Sequence, residues 1–558
     1  MTAPVWVQAT VPSAAKQLTE AGISQSLAEL LARRGVESEA EAKAFLAPCS
    51  EHLHDPELLS GAPEALDRLI RARDEGQRVA IVGDYDVDGV SATALLTAVF
   101  RACGIDVVAI LPNRLKEGYG LQGAHIEKAA AENCQLVVTA DCGSTAYAAI
   151  DIAKDQGLDV IITDHHLGDR QLPAWVIEVN PSRDSCSYPF SKLSGVGVAY
   201  KLASGLCTRL DRDIDQAALL RVTCLGTICD LVPLLGENRV IASLGLAALA
   251  KTRSAGLRAL IERARIRPPF TATDIGFRLG PRINAAGRLA DPDLALELLL
   301  TTDPRRAAAL ARELDELNRE RQGAEMKVVN EAEQSFAALD PIPAILVGWS
   351  EHWHRGVIGI AAGRIARRFH RPTVLFSVDG EQATGSGRSL REIHLHGFLK
   401  EWQADYRRFG GHSQAVGLTV PTSALAELTA RWQQQAEHDW DPELLTRRTE
   451  YELLLSPAEV NDDLLGELRR LEPFGVGNRQ PVLRVGPLRL SRPPRRFGKG
   501  HLGAAAVGSD GGRVDLLGWG WQEREGDLVD PFEVLGCLES DRYHGGPVLR
   551  LLDARPAT

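Results

Sequence analysis

The nine cysteines of this 558-residue chain include no Cys-x-x-Cys pair and no zinc-type spacing. The closest two, Cys224 and Cys229, lie five apart in an apolar helical pattern. Neither a disulfide framework nor a zinc module is expected; buried reduced thiols and a reducing cytoplasm are. The opening stretch MTAPVWVQATVPSAAKQ lacks the basic and apolar segments of a signal peptide, and no uncharged apolar run approaches transmembrane length. A membrane partner is therefore not expected. Positive charge is also in short supply. The net charge of −11 gives nucleic acid no overall invitation, so a nucleic-acid role needs local basic patches. There is no internal repeat and no low-complexity tract. With 44% hydrophobic and 25% charged residues the composition is ordinary globular. The length suggests about three or four domains.

Strand and helix patterns alternate from Arg78 to about Val179, as in VAIVG, SATALLTAVFRAC, DVVAIL, LVVTA and DVIIT. Such alternation predicts a parallel sheet covered by helices. Before it, residues 1–75 read as a mostly helical lead-in, and the first α/β domain extends over 76–302, helical in its later part. Residues 303–340 form one long charged and apolar pattern, with Asp303 as its cap and Pro304 in its first turn. A helix this long and polar bridges domains. A second α/β unit follows over 341–440. From 441 to 558, short strand patterns punctuated by glycine and proline predict a small β-barrel.

Three of the apolar runs end in acid. RVAIVG leads into Asp84, Asp86 and Asp88; QLVVTA leads into Asp141; DVIIT leads into Asp164, His165 and His166. In open α/β sheets, ligands bind beyond the carboxyl ends of the strands. A crevice holding five carboxylates and two imidazoles is costly unless cations occupy it. Asp84, Asp86 and Asp88 alternate in a loop closed by Gly89, which in an extended segment turns them the same way. A helix is expected from about Ser91, its N-terminus open to phosphate oxygens. A calcium loop is excluded, because no Glu stands at the twelfth position and a strand precedes. A single acidic turn is as readily a solvated loop; repetition at three strand ends is what points to metal. Oxygen ligands with one imidazole suit Mn²⁺ or Mg²⁺ better than Zn²⁺. Two such ions sharing a carboxylate suit phosphoester hydrolysis. Asp230, in CLGTICDLVPLLGENR, reads on its own as a helix-end residue.

The second half carries a basic counterpart. GPRINAAGR places Arg282, Asn284 and Arg288 in a Gly-bounded turn, GSGRS places Ser386 and Arg388 on a glycine loop, and FGGHSQAVGL places His412 behind a Gly-Gly turn. HWHRGVIGIAAGR offers Trp353 and His354 before a glycine-rich helix start, and Arg114 lies just past a strand end. Each has a plain structural reading, and Arg282 in particular reads equally as an ion pair. Together, opposite an acidic half, they predict a phosphate-binding face. In the barrel, Arg495, Arg496 and Lys499 surround Phe497 in a loop that is either solvated or a place for single-stranded nucleic acid, where bases stack and phosphates pair.

In order, GDYDVDGVSA, TADCGS, TDHH and GTICDLVPL resemble the DHH phosphoesterase family. GPRINAAGR, HWHRGVIGIAAGR, GSGRS and FGGH narrow the resemblance to its bacterial single-stranded-DNA-specific 5′→3′ exonucleases, over roughly residues 40 to 555. The resemblance implies a DHH domain, a long helix, a DHH-associated domain and an OB-fold, with single-stranded DNA in the cleft. It implies that Asp86, Asp88, Asp141, His165 and Asp230 ligate two divalent cations, Mn²⁺ or Mg²⁺, joined by Asp84, where many other members have histidine. His166 would stand by the scissile phosphate and Asp164 would orient its histidine neighbours. Arg282, Ser386, Arg388 and His412 would hold the DNA backbone, with Asn284 and Arg288 as further substrate-binding candidates. Arg114 would help Ser386 and Arg388 grip the 5′ end, and Trp353 and His354 would line the strand's path. Hydrolysis to 5′-mononucleotides in repair and recombination, by a monomer, is implied as well. A single-strand-binding protein and a RecQ-type helicase are implied partners. Some such chains carry a further partner-binding domain after the OB-fold; this sequence runs only to Thr558, so binding through one is not expected.

Two other readings compete. A nano-RNase or cyclic-dinucleotide phosphodiesterase of the same family would lack the strand-rich tail after Glu450. A catalytically dead DHH scaffold would have lost carboxylates that this chain keeps.

Overall fold

The computed structural model describes residues 4–113, 120–541 and 545–557. Arg114 lies outside them. The chain opens on a strand, β1 (Val5–Gln8), three short helices, and then helix Ala62–Asp74. Five parallel strands follow: β2 (Arg78–Gly83), β3 (Asp106–Ile110), β4 (Leu136–Ala140), β5 (Asp159–Thr163) and β6 (Ile177–Val179), side by side in the order β3-β2-β4-β5-β6. Every residue of β4, and all of β2 but Arg78, is buried. Helices cover both faces, which is why these strands read as continuous apolar runs rather than alternating ones. From β2 the chain steps to β3 on one side and then crosses to β4 on the other. The carboxyl ends of β2 and β4 therefore flank a topological switch point, where ligands of such sheets bind.

A helical stretch including Gly195–Arg209, Gln216–Cys229, Gly236–Leu249 and Gly280–Leu289 completes this half. Helix Pro304–Ala337 then runs for 34 residues, capped by the Asp303 carboxylate on the Arg305 N–H at 2.9 Å. At 1.5 Å per residue it is about 51 Å long. It leads to the second α/β unit, a five-stranded mixed sheet of β7 (Leu346–Ser350), β8 (Thr373–Asp379), β9 (Gln382–Arg388), β10 (Arg408–His412) and β11 (Ala415–Pro421) in the order β10-β11-β9-β8-β7, with helices Ile358–Phe369 and Leu425–Asp439. Strands β12 (Arg448–Tyr451) to β19 (Pro547–Pro556) end the chain. Among them β14 (Leu483–Leu490), β16 (His501–Gly508), β17 (Arg513–Gly518) and β18 (Phe532–Ser540) close with β19 into a five-stranded OB-like barrel through the β14–β16 pairing.

The structure departs from the sequence expectations in four places. The N-terminal segment is not a separate lead-in: β1 pairs in parallel with β12, and Leu18, Leu27, Leu31 and Phe45 share one core with Leu483, Phe532 and Leu549 of the barrel. The pairing spans more than four hundred residues, so no local pattern reveals it. The helix after β2 begins at Val87, not near Ser91, because the Asp86 carboxylate accepts from the N–H groups of Asp88 and Gly89 at 2.9 and 3.1 Å and starts it earlier. GPRINAAGR is a helix, Gly280–Leu289, rather than a turn. Ser386, Arg388 and His412 lie on strands β9 and β10 rather than on glycine loops, since neighbouring strands supply the ladder that isolated glycines do not suggest.

Arg239 ties the first α/β half to the residues that lead into the barrel. It is 2% exposed and donates to the carbonyls of Phe45, Arg470, Leu471 and Glu472 at 2.7 to 3.2 Å. Among the described residues no helix is long and apolar enough to cross a membrane.

Candidate metal centre and phosphate pocket

The site is built where β2, β4 and β5 end. Asp84 follows β2 and Asp86 caps the next helix, but Asp88 already lies in its first turn. Helical rather than extended backbone sends Asp88 away from its two neighbours. Its carboxylate accepts from the Gly195 and Val196 N–H groups at 2.7 and 3.0 Å, at the start of helix Gly195–Arg209. Asp141 follows β4 at a φ of 67°, a left-handed backbone that turns its side chain into the crevice. Asp230 caps the C-terminus of helix Gln216–Cys229 and is followed by left-handed Leu231, with a φ of 63°. His165 follows β5. Its Nε2 stands 3.2 Å from Asp141, 3.5 Å from Asp230 and 4.0 Å from Asp88.

Ligand atoms therefore converge in two main groups, Asp84 with Asp86 and Asp141, and Asp88 with His165 and Asp230; a further grouping joins Asp141, His165 and His166. Asp141 belongs to the first and third, and its contact with His165 ties it to the second. The charges are under strain. Burial, then the neighbouring Asp86, raises the Asp88 carboxyl to about 7. Burial, then Asp88 and Asp86, raises Asp230 to about 9. Burial and the same cluster hold Asp141 well above the ordinary carboxyl range. Asp141 Oδ1 and His165 Nε2 are both buried without a hydrogen-bond partner. Buried polar atoms aimed at one another and left unpaired are what a shared cation would satisfy. The donor set, carboxylate oxygens with one imidazole, fits Mn²⁺ or Mg²⁺.

Asp164 works through its neighbours. It accepts from the N–H groups of Ser144, His165 and His166 at 2.9, 2.7 and 3.1 Å, and its Oδ1 pairs with His166 Nδ1 at 2.8 Å. Burial pushes its carboxyl up, but the His166 hydrogen bond and charge and the Ser144 N–H outweigh that, bringing it down to about 2. Against the downward push of burial, Asp164, Asp230 and Asp84 raise His166 to about 9, a cation at neutral pH. Burial and that neighbouring cation lower His165 to about 4, so its ring stays neutral, as a ligand must.

Glycines make room for this packing. A Cβ on Gly195 would lie 2.2 Å from Asp141 Oδ1, and one on Gly226 would lie 2.4 Å from Asp88 Oδ1. Sequence reasoning passed over both. The Ser-Gly before VGVA signals a helix start, but nothing local says which carboxylate that start receives.

Beside the acids lies a basic cavity of about 340 Å³. Its wall includes Arg288, Ser386 and Arg388, singled out from the sequence, and Arg355 and Arg408, which were not. No acidic residue lines it among the described residues. Helix Ile358–Phe369 starts here with no side chain capping it, and a Cβ on Gly359 would touch Ser386 Oγ at 2.8 Å. A bare helix start among guanidinium groups favours an anion. Helix Gly280–Leu289 links the two sites: Asn284 Oδ1 accepts from the Val87 N–H at 3.1 Å, and Arg288 donates to the Gly356 carbonyl at 3.3 Å.

Three expected substrate contacts find other work. Trp353 is 5% exposed in the core around Phe336, its indole N–H on Glu331 at 2.7 Å, so it does not line a strand's path. Asn284 spends its carbonyl on the acidic loop. Arg282 lies about 200° around its helix from Asn284, where it pairs with buried Asp315 and donates to the Arg278 carbonyl; of its two sequence readings, the ion pair is the one the geometry presents. His354 and His412 are exposed.

On the barrel, Arg496 is committed to Glu525 at 2.7 Å, while Lys499 is exposed. Arg495 lies 5.8 Å from the Phe497 ring, which meets Trp519 edge-on at 5.9 Å. Trp519, 53% exposed and overlooked in the sequence, also packs edge-on against His501. An exposed ring beside cations has the chemistry on which unpaired bases stack.

Three family models match the chain: the DHH family N-terminal domain over residues 78–227, the DHHA1 domain over 342–438 and the RecJ OB domain over 451–552. The single-stranded-DNA-specific exonuclease RecJ of Bacillus subtilis is 34% identical over 550 residues, 97% of this chain and 69% of that one. The protein of the same description from Escherichia coli is 37% identical over 467 residues, 80% of each chain. RecJ of Thermus thermophilus in complex with Mn²⁺ superimposes with a TM-score of 0.84 at 30% identity, covering 99% of this chain and 80% of that one; its Mg²⁺ complex gives 0.78.

Proposed function

This chain belongs to the RecJ family of single-stranded-DNA-specific exonucleases, metal-dependent enzymes, and from that premise we propose that it degrades DNA single strands from the 5′ end to 5′-mononucleotides, in repair and recombination. The observation that supports release of single nucleotides is the spacing on helix Gly280–Leu289. Asn284 braces the acidic loop and Arg288, four residues on, reaches the wall of the basic cavity. Four residues of helix are about 6 Å. A terminal phosphate held by Ser386, Arg388 and the helix start at Ile358 would leave the next phosphodiester at the acidic centre, so single nucleotides would be released.

Two divalent cations, held by Asp84, Asp86 and Asp141 and by Asp88, His165 and Asp230 with Asp141 shared, would supply the Lewis acidity that lowers the pKa of water and offsets phosphate charge. The chain's own groups do the rest. Asp164 fixes the His166 imidazole and the His165 backbone N–H, leaving Nε2 of neutral His165 to ligate. His166, cationic at neutral pH, would face the scissile phosphate and steady its charge. Phe497 and Trp519 would stack bases of the incoming strand, which favours a single-stranded substrate.

The test is incubation with Mn²⁺ and single strands blocked at either end, alongside blunt duplex, short RNA and cyclic dinucleotides. Digestion should stop when the 5′ end is blocked and continue when the 3′ end is. The reverse pattern would overturn the polarity, and preference for cyclic dinucleotides would overturn the substrate.

A further inference from the structure

The side of helix Gly280–Leu289 turned away from the metal centre faces a second basic cavity, of about 580 Å³, between residues 259–265 and the first half of the connecting helix. It is larger than the phosphate pocket and plays no part in the proposed hydrolysis. Buried Asp315 sits in its floor and is shared by three guanidinium groups, those of Arg263 at 3.4 Å, Arg282 at 2.9 Å and Arg319. Arg265 and Arg312, both exposed, add two more to the wall, and Glu262 is the other acid there. Five guanidinium groups against two carboxylates leave three positive charges in excess. One carboxylate cannot neutralise three arginines; it holds their planar forks in place, and the Arg319 side chain stays largely exposed to solvent. A preset array of guanidinium donors in a concave, polar wall recognises phosphate oxygens, which accept from Arg in pairs. Its volume lies in the range of small-ligand sites.

We infer that this cavity is a second phosphate-binding site, separate from the catalytic cleft, that takes either a free nucleotide or the backbone of a bound strand. The assignment rests on the geometry of these charges and does not depend on the polarity proposed above. Arg265 and Arg312 carry the test, because both are exposed and outside the Asp315 ion-pair network.

The full chain in EDTA is titrated calorimetrically with 5′-dTMP, and by fluorescence anisotropy with a long oligothymidylate at several salt concentrations. Arg265→Glu/Arg312→Glu is compared with wild type. If the ligand is a free nucleotide, the variant loses one class of dTMP site or binds there at least about tenfold more weakly. If it is a strand, dTMP binding holds while the oligothymidylate salt slope falls by about 1.4, at about 0.7 for each phosphate that is no longer neutralised. Hydrolysis of a trinucleotide with Mn²⁺ is expected at the wild-type rate. Unchanged binding of both ligands would overturn the site. Loss of trinucleotide turnover together with binding would place these arginines in the catalytic cleft and overturn its separateness. Arg265→Gln/Arg312→Gln, which removes charge without inverting it, should fall between wild type and the Glu variant; full wild-type binding by it would also count against the site.

Discussion

His165 Nε2 stands 3.2 Å from Asp141 Oδ1, and neither buried atom has a hydrogen-bond partner. Asp141→Asn keeps the shape and removes the charge that both ligand groups share. Hydrolysis is expected to fall by more than about a hundredfold, the upper end of what loss of a supporting partner costs a metal site. Single-strand binding, measured by anisotropy in EDTA, should hold within a few-fold because the basic wall is untouched. Wild-type turnover would sink the shared-ligand assignment.

The raised carboxyl pKa values make a stability prediction. Asp88 at about 7 and Asp230 at about 9 bind protons more tightly when folded than unfolded, so the stability they contribute is lost as pH rises through those values. His166, raised to about 9, loses its contribution in the same direction. His165, lowered to about 4, acts oppositely, but only below its ordinary value of 6.5. The metal-free protein should therefore lose thermal stability between about pH 6.5 and 9. The rise in Tm on adding Mn²⁺ should grow over the same range, because the cation replaces the missing protons. A Tm increment independent of pH, by scanning fluorimetry, would contradict this.

Two glycines should respond in opposite ways to alanine. At Gly226 the new Cβ lands 2.4 Å from Asp88 Oδ1 and 3.0 Å from its Cα, so Gly226→Ala should cost about 1–3 kcal/mol and displace a ligand. At Gly323, inside the connecting helix, a Cβ meets nothing within 4 Å. Gly323→Ala should instead stabilise by up to about 1 kcal/mol. Urea denaturation of both variants checks the pair, with activity lost only in the first.

Arg388 shares the phosphate pocket with Ser386, and its guanidinium donates to Ser386 Oγ at 3.2 Å. Arg388→Ala should weaken binding of a 5′-phosphorylated strand and lower the salt slope by about 0.7, with a smaller effect on a 5′-hydroxyl strand. Equal losses on the two strands would remove Arg388 from the terminal phosphate.

Trp519→Ala removes an exposed ring from the barrel surface. Binding of long single strands should weaken by about 1–3 kcal/mol, while trinucleotide hydrolysis is unaffected. A loss confined to the trinucleotide would put Trp519 elsewhere on the path.

The acid-tipped strands were legible because fully buried parallel strands leave long apolar runs, and the acids after them stand out by contrast. VAIVG, LVVTA and DVIIT appear as β2, β4 and β5, with Asp84, Asp141 and Asp164 at their ends. The long helix was legible for a similar reason, since an Asp-Pro start with no later proline is local information. What the sequence by itself determined was thus which residue types stand at which strand ends. Which of them share a ligand sphere was decided only by the tertiary structure. Asp86 and Asp88 are two residues apart, yet one caps a helix and the other turns with it toward Gly195, more than a hundred residues away. Arg282 and Asn284 are as close in sequence and face opposite sides of one helix, toward Asp315 and toward Val87. The N-terminal strand found its partner at β12, more than four hundred residues away. Spacing along a chain sets direction only within one element; where side chains meet across elements depends on how the elements pack.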